Sequence, residues 1–295
     1  MSIVITTPTG KIGSKLAELL VEAGESVTLI ARHPEKVRHL ADRGARVIQG
    51  SHNDQTVVDE ATVGAKALFW LTPPNMGSTD IRSFYRSFGE VAANAIEKNH
   101  IPHVVHLSSL GAELDTGTGP VLGLHDVEPL LAQASENIVQ LRPAYFMENT
   151  FWQIPAIKAQ GKLFTTFAGE ANFPMIATSD IAGRAADLLR DRSWRGEQVK
   201  ELAGPTELSF NDIAGVLSEV LALDITHIGI SREQSTEILI ENGVSEHMAE
   251  MMNDLSSSVE SGRVFFRELQ NPESRTQTAF PVFAKEVFKP VFDSV

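Results

Sequence analysis

The chain of 295 residues contains no cysteine, which excludes disulfides, thiolate metal ligands and thiol nucleophiles. Tyrosine is nearly as scarce, because Tyr85 and Tyr145 are the only two. Basic residues are also few: 25 Lys and Arg face 38 Asp and Glu, and the net charge is −13. Such a charge repels the phosphate backbone, so we expect no direct binding of nucleic acid.

The chain has no apolar run approaching the roughly 18 residues that a membrane helix requires. It enters a strand pattern at once, without a basic leader or a cleavable apolar segment. These absences predict a cytoplasmic protein with no membrane partner. The sequence leaves open whether the protein is a monomer or a homodimer. A content of 42% hydrophobic and 21% charged residues is typical of a globular chain.

Strand and helix patterns alternate along the first part of the chain. Short apolar runs predict strands at 3–5, 27–31, 47–48, 67–71, 104–107, 138–141 and 198–202. Apolar positions at helical spacing predict helices at 12–23, 34–41, 55–61, 82–98, 121–133 and 181–189. This order is typical of an α/β fold with a doubly wound parallel sheet, the Rossmann arrangement.

The alternation is lost in two stretches, which suggests a second unit. We predict a dinucleotide-binding domain of residues 1–149 plus about 180–203, and a smaller α+β lobe for substrate from 150–179 plus 204–295. Most rings of the closing segment, Phe280 to Phe292, are expected in a core, and some could floor a substrate cleft. The acidic stretch from Ser231 to Glu260 is interpreted as a solvated face.

The turn after the first strand has the composition of a phosphate-binding loop. Gly10 would let the backbone approach a pyrophosphate, and Gly13 would let the helix pack closely on the sheet. Amides at the start of the helix favour negative charge, and Lys11 would add a positive one. The candidate cofactor-binding residues of the turn are Thr7, Thr9, Gly10, Lys11, Ile12 and Gly13.

The end of the second strand bears on the choice between nicotinamide cofactors. An acidic residue there binds the ribose of NAD, whereas an arginine accommodates the additional phosphate of NADP. Arg32 occupies the position and Lys36 follows closely. The sequence therefore favours NADP(H), and NAD(H) stays open.

Further motifs resemble, in order and over nearly the whole chain, those of the NmrA-like atypical short-chain dehydrogenases/reductases. The matching segments are 6–13, 32–36, 69–74, 108–109, 125–128, 141–149 and 179–182. The resemblance implies that the cofactor also contacts Thr72, Pro73, Ser108, Ser109 and Pro143. It implies two classes of function: reductases that pass hydride from NAD(P)H to quinones, azo compounds or similar conjugated acceptors, and non-enzymatic sensors of the dinucleotide.

The sequence departs at two places from the pattern of the family that it resembles. Thr7 stands where the family has the first glycine, so the bend must accommodate a β-carbon and a hydroxyl. The Tyr-x-x-x-Lys pair of ordinary short-chain dehydrogenases is absent, since Gly89 and Asn149 follow the two tyrosines at that spacing. Interconversion of carbonyl and alcohol by that route is therefore not expected.

A reductase acting on a conjugated acceptor does not need that pair, because the anion formed is far less basic than an alkoxide. A redox sensor and a biosynthetic tailoring enzyme remain alternatives. Tyr145 and His125 are the candidate catalytic residues, and the candidate substrate-binding residues are Tyr145, Phe146 and Asn149. Tyr145 is equally compatible with a packed aromatic.

His125 and Glu128 share a helix face, where the carboxylate would orient the imidazole or form a plain surface pair. His100, His103 and His106 straddle a loop and a strand, so we predict no metal site there.

Overall fold

Within residues 2–268 and 271–295, which the computed structural model describes, seven strands form one parallel sheet. They are β1 (Ile3–Ile5), β2 (Val27–Ala31), β3 (Arg46–Gln49), β4 (Ala67–Trp70), β5 (Val104–Leu107), β6 (Asn137–Pro143) and β10 (Gly196–Leu202). Their order is β10-β6-β5-β4-β1-β2-β3. The central strands are buried along their whole length, as continuous apolar runs predict. The predicted doubly wound α/β fold is confirmed.

Helices cover both faces of this sheet. They are α1 (Lys11–Glu22), α2 (Arg38–Ala41), α3 (Gln55–Thr62), α4 (Ile81–Asn99), α5 (Val121–Ala134) and α7 (Thr178–Asp191). The core on one face is built from α1, α2 and α7, and the core on the other from α3, α4 and α5. Among the described residues, no helix is long and apolar enough to cross a membrane.

The boundaries differ from the predicted ones where polar residues or proline obscure the pattern. The helix predicted at 34–41 begins as a 3₁₀ turn, Pro34–Val37, and only its end, α2, is α-helical. Strand β6 runs two residues beyond its predicted end, through Arg142 and Pro143. Helix α7 begins at Thr178, three residues earlier than expected.

The smaller unit is an α+β lobe with two small sheets. One sheet contains β7 (Tyr145–Phe146), β9 (Phe173–Ile176) and β11 (Glu207–Leu208), and the other β8 (Lys162–Thr165) and β12 (Thr226–Gly229). The helical elements of the lobe are the 3₁₀ segment Met147–Gln153, α6 (Ile154–Gln160), α8 (Phe210–Leu221), the 3₁₀ turn Pro272–Ser274, α11 (Phe280–Phe283), the π turn Ala284–Phe288 and α12 (Lys289–Ser294).

The closing segment supplies the core of this lobe. Phe280, Phe283 and Phe288 are fully buried, as expected for most of these rings. Phe292 is half-buried and stacks on Phe288. The segment therefore anchors the end of the chain in the lobe's core.

Helices α9 (Arg232–Glu241) and α10 (Glu246–Glu260) carry the acidic stretch. Helix α9 has no buried residue, which agrees with a solvated face. One side of α10 differs, because Met248 and Ala249 join the core on the α3–α5 face of the large sheet. The predicted division of the chain into two domains stays a prediction.

The close approach of α1 to β1 generates a stability prediction. A β-carbon on Gly13 would lie 2.2 Å from the carbonyl oxygen of Thr7, which is backbone and has no free rotation to escape. We expect Gly13→Ala to lower the free energy of unfolding by about 1 to 3 kcal/mol, measured by denaturant titration. Gly215→Ala is the matched control: it lies within α8 with nothing within 4 Å of the added carbon, and should stabilise by about 0.5 to 1 kcal/mol. Equal effects of the two changes would contradict the packing argument.

Candidate functional site

The turn between β1 and α1 is held in an unusual backbone conformation. Thr7 has a φ of +52°, in the left-handed region that favours glycine. Its carbonyl oxygen accepts a hydrogen bond from the amide of Gly10 at 3.0 Å. The preceding Thr6 fixes the entry, because its hydroxyl oxygen accepts from the amide of Leu71 at 2.9 Å. The threonine is thus accommodated in a bend that ordinarily calls for glycine.

The start of α1 is presented to solvent. Thr9 and Gly10 are exposed, and Gly10 is the residue that precedes the first helical turn. Ile12 is buried and anchors the helix in the core. Gly13 has no side chain and therefore lets the helix lie close to the backbone of Thr7. The amides of the first turn have no partner within the helix, which is the feature that binds phosphate at helix starts.

Lys11, the first residue of α1, contacts the smaller lobe. Its ammonium nitrogen lies 4.2 Å from the centre of the Phe151 ring. Partial desolvation lowers the pKa of Lys11, and the nearby carboxylate of Glu148 opposes that shift. Glu148 is itself buried and accepts hydrogen bonds from the amide and hydroxyl of Thr178, at the start of α7.

Two hydroxyls near this turn have no hydrogen-bond partner among the described residues. One belongs to Thr7 and the other to Thr72, a residue only 5% exposed. Because β1 and β4 are neighbours in the sheet, both residues follow adjacent strand ends. Pro73, next along, is half-buried. Buried hydroxyls are normally satisfied, so these two favour a polar ligand or ordered water at this edge.

Positive charge is available at the end of β2. Arg32 is exposed and takes part in none of the ion pairs that the described residues form. Lys36 is exposed in the following 3₁₀ turn. Burial, with a contribution from Arg32, lowers the pKa of nearby His52 to about 4. His52 is therefore neutral at physiological pH and does not repel the guanidinium of Arg32.

The end of β5 is held by buried charge. Ser108 is 4% exposed and its hydroxyl donates to Glu128 at 2.5 Å. The guanidinium of Arg142 binds the same carboxylate through Nε at 2.9 Å and a terminal nitrogen at 2.5 Å. Ser109 is half-buried, and its hydroxyl donates to the carbonyl of Leu110 at 3.1 Å. Ser108 therefore lies at the predicted edge with its hydroxyl proton already directed to Glu128.

The ion pairs continue from Arg142 to the segment that follows α10. Glu113 lies 3.1 Å from Arg142 and 2.5 Å from Arg267. Arg267 also approaches Glu201 in β10 at 3.2 Å. Burial raises the pKa of Glu113, but its bonds to Arg267 and attraction to both cations outweigh this and leave the pKa below its usual value. The chain of charges joins β5, β6 and β10 at their carboxyl ends.

His125 lies beside this edge, but it does not pair with Glu128. Its Nδ1 contacts the carbonyl oxygen of Ala112 at 2.9 Å, so this nitrogen carries the proton. The carboxylate of Glu128 is instead occupied by Ser108 and Arg142. Both residues lie on α5 as predicted, but tertiary partners determine their hydrogen bonds.

Tyr145, Phe146 and Asn149 lie at the junction between the two units, and all three are half-buried. The ring of Tyr145 packs edge-on against Phe173, with centroids 5.2 Å apart. Desolvation raises the pKa of Tyr145 to about 12, and a hydrogen bond with Asn149 opposes the shift. Pro143 ends β6, and its carbonyl accepts from the amide of Leu110 at 3.2 Å.

Sequence reasoning missed the Glu128–Arg142 pair and His52. A buried arginine within an apolar strand was the available signal for the pair, because such a cation requires a carboxylate. Nothing in the sequence pointed to His52. Among the described residues no cluster of His, Asp and Glu is suited to a metal, and His106 contacts Gln140 at 2.6 Å.

A comparison with protein families matches residues 1–271 to the NmrA-like family. The chain belongs to that family. Its relatives include the NAD(P)H azoreductase of Xenophilus azovorans, 24% identical over 253 residues, which covers 86% of this chain and 85% of that protein. Another is the (4-alkanoyl-5-oxo-2,5-dihydrofuran-3-yl)methyl phosphate reductase of Streptomyces griseus, 27% identical over 220 residues, covering 74% of this chain and 73% of that protein.

Solved structures share the whole architecture. The NADPH complex of the quinone oxidoreductase QOR2 of Escherichia coli superposes with a TM-score of 0.82 at 22% identity, covering 97% of this chain and 99% of that one. The NADP(H) complex of Citrobacter triphenylmethane reductase gives a TM-score of 0.81 at 22% identity, with the same coverage of 97% and 99%. These likenesses establish the fold of the NmrA-like protein.

Removal of one carboxylate from the ion-pair chain should test its energetic role. Glu128→Gln leaves the buried Arg142 cation poorly compensated, so we expect a loss of about 3 kcal/mol or more in the free energy of unfolding. Glu113→Gln is the control, since Glu113 pairs with the same guanidinium but its side chain is 21% exposed. It should cost clearly less by the same denaturant titration. A loss as large for Glu113→Gln would show that burial does not set the strength of these pairs.

Proposed function

We propose that this protein transfers hydride from NADPH to a quinone-like or other conjugated acceptor. The observation that carries the proposal is the combination of an exposed helix start after β1 with an exposed guanidinium, Arg32, at the end of β2. In the Rossmann arrangement these two features bind the pyrophosphate and the additional ribose phosphate of NADP. NADH remains the second choice of cofactor.

The residues of the site fit such a cofactor. The turn from Thr7 to Gly13 would hold the pyrophosphate, with Thr9 exposed beside it. Arg32 and Lys36 would bind the ribose phosphate, and the buried hydroxyls of Thr7 and Thr72 would find partners. The dinucleotide, when bound, supplies the hydride. The protein's contribution is then to orient donor and acceptor and to exclude water.

The acceptor would lie against the junction of the two units. The wall beside the acceptor would be the half-buried strand β7, from which Tyr145 and Phe146 project to opposite faces; one of the two rings would offer aromatic surface for a flat conjugated molecule, and Asn149 an amide for its polar edge. Ser108, Ser109 and Pro143 form the neighbouring strand ends, where the nicotinamide would be held. This arrangement supports an aromatic acceptor rather than a highly charged one.

Tyr145 is suited to contact rather than to donate a proton. A pKa of about 12 is far above neutral pH, so its hydroxyl is a weak acid under working conditions. His125 is the other candidate donor. Its Nδ1–H is fixed by Ala112, which leaves Nε2 on the opposite side of the ring for the proton that is transferred.

Relatives support this class of chemistry. The azoreductase, the dihydrofuranone phosphate reductase and the festuclavine dehydrogenase of Aspergillus fumigatus are named for the reduction or oxidation of different small molecules. The last two names favour a second candidate, a tailoring enzyme of a biosynthetic pathway. Both candidates need the same orientation of hydride donor and acceptor. A non-catalytic sensor would bind NADPH but reduce nothing.

The activity is tested by following reduced-nicotinamide absorbance. We expect the purified protein to oxidise NADPH when benzoquinone or naphthoquinone is added, and to leave a simple aliphatic ketone unreduced, because no Tyr-Lys pair is present to protonate an alkoxide. NADPH binding by calorimetry without reduction of any quinone, azo dye or conjugated lactone would favour the sensor. No binding of either reduced nucleotide would end the proposal.

The preference for NADPH is tested at the end of β2. Arg32→Gln removes the guanidinium, so we expect NADPH to bind about tenfold more weakly while the affinity for NADH changes little, as measured by calorimetry. Arg38→Gln is the matched control, because Arg38 is also exposed and lies six residues on, in α2. An equal loss for both nucleotides, or the same loss in Arg38→Gln, would argue against a ribose-phosphate contact.

A further inference from the structure

Lys11 lies between the turn proposed to bind phosphate and an aromatic ring of the smaller lobe. It begins α1, beside the amides proposed to bind phosphate, yet its ammonium lies over the Phe151 ring at 4.2 Å from the centroid. A cation placed over an aromatic face is attracted by the ring's negative quadrupole. The contact therefore links the phosphate turn to the 3₁₀ segment Met147–Gln153 of the smaller lobe.

Phe151 is well placed to transmit this contact. Its ring packs near Phe283 and Phe288, with centroids 5.9 and 5.8 Å apart. Those two rings are buried in the core of the smaller lobe. The same 3₁₀ segment directly follows β7, which carries Tyr145 and Phe146. A movement of the Phe151 ring would therefore also displace the wall proposed for the acceptor.

The charge environment of Lys11 strengthens the link. Glu148, in the same segment, is buried and attracts the ammonium, while its carboxylate also accepts from the amide and hydroxyl of Thr178. The unpartnered hydroxyl of Thr72, 5% exposed, lies at the same edge of the sheet and favours a polar ligand or ordered water there. A phosphate bound there would offer Lys11 an anionic partner close to its aromatic one.

We propose that Lys11 is a positioning residue that couples dinucleotide binding at α1 to the placement of Phe151 and so to the acceptor wall. The inference rests on the proposed dinucleotide site. Bound phosphate draws the ammonium towards the turn, and the segment Met147–Gln153 follows because Phe151 and Glu148 both attract that ammonium. The cofactor thus sets the geometry of the acceptor side before the acceptor arrives.

The chain contains a natural reporter for this coupling. Of its three tryptophans, Trp70 and Trp194 are buried, whereas Trp152, next to Phe151, is 60% exposed. Acrylamide, a neutral quencher, therefore reports mainly on Trp152, and Trp152→Phe identifies its contribution. NADP⁺ is the ligand of choice, because it does not absorb the tryptophan emission as NADPH does. Affinity is measured separately by calorimetry.

We expect saturating NADP⁺ to change the quenching of Trp152 in the wild-type protein and in Lys11→Arg, which keeps a cation able to stack on the ring. Lys11→Met should bind NADP⁺ about threefold to tenfold more weakly and, once saturated, show no change in quenching. Phe151→Leu should retain affinity within about twofold but also lose the change, because the phosphate contact survives and the aromatic contact does not.

Lys15→Met is the matched control, since Lys15 lies one turn further along α1 and is exposed. It should behave as the wild type. A wild-type quenching change in saturated Lys11→Met, or no change in the wild type itself, would overturn the coupling. If calorimetry detects no NADP⁺ binding to the wild type, the proposed function fails instead. The contact between Lys11 and Phe151 is then tested by acrylamide quenching of Trp152 in the absence of nucleotide. Equal quenching in Lys11→Met and in the wild type would show that this contact does not position Phe151.

Discussion

The approach of the Thr7 carbonyl to Gly13 is the constraint on which the rest of the site depends. The first turn of α1 sits directly on the end of β1, and only the missing side chain of Gly13 permits this. A threonine in the left-handed region costs about 1 to 2 kcal/mol, so the bend must be held from outside. Thr6 provides that hold through its hydroxyl, which bonds to the backbone of β4 and the residue after it.

A second constraint acts at the other side of the edge. Glu128, Arg142, Glu113, Arg267 and Glu201 alternate in sign from α5 to β10 and the segment after α10. The buried pair Glu128–Arg142 adds little net stability, because desolvation offsets most of its attraction, and solvent weakens the pairs of the exposed Arg267. They do specify geometry, since a carboxylate or guanidinium out of place is costly. The loop after β5 is thereby held at the carboxyl edge of the sheet, beside the proposed cofactor site.

The large sheet could be predicted from the sequence because its strands are continuous apolar runs separated by helical periods. The end of β6 could not, since Arg142 and Pro143 look like the end of an apolar strand until the buried partner of Arg142, Glu128, is known. The small sheets escaped prediction for a different reason. Their strands are two to four residues long and pair across distant parts of the chain, as β8 does with β12.

The candidate site likewise has features that the sequence predicts and features that it does not. Backbone features, the turn and the residue at the end of β2, follow from local sequence, because their positions depend on the βαβ unit alone. The hydrogen-bond and ion-pair partners of the side chains do not follow from local sequence. The spacing of His125 and Glu128 predicts a shared face, but the nearest strong partners come from other elements: Ala112 for the imidazole, and Arg142 for the carboxylate.

The scarcity of tyrosine also limits the chemistry. Tyr85 is 5% exposed, and its ring packs so closely on α5 that a β-carbon at Gly123 would lie 2.6 Å from it. It therefore cannot reach a substrate. Tyr145 does reach the junction, but desolvation keeps its hydroxyl a weak acid. Neither tyrosine has a lysine four residues on, since Gly89 and Asn149 occupy those positions, so the Tyr-Lys route is absent and the proposed chemistry is one whose product anion is stabilised by its own conjugation.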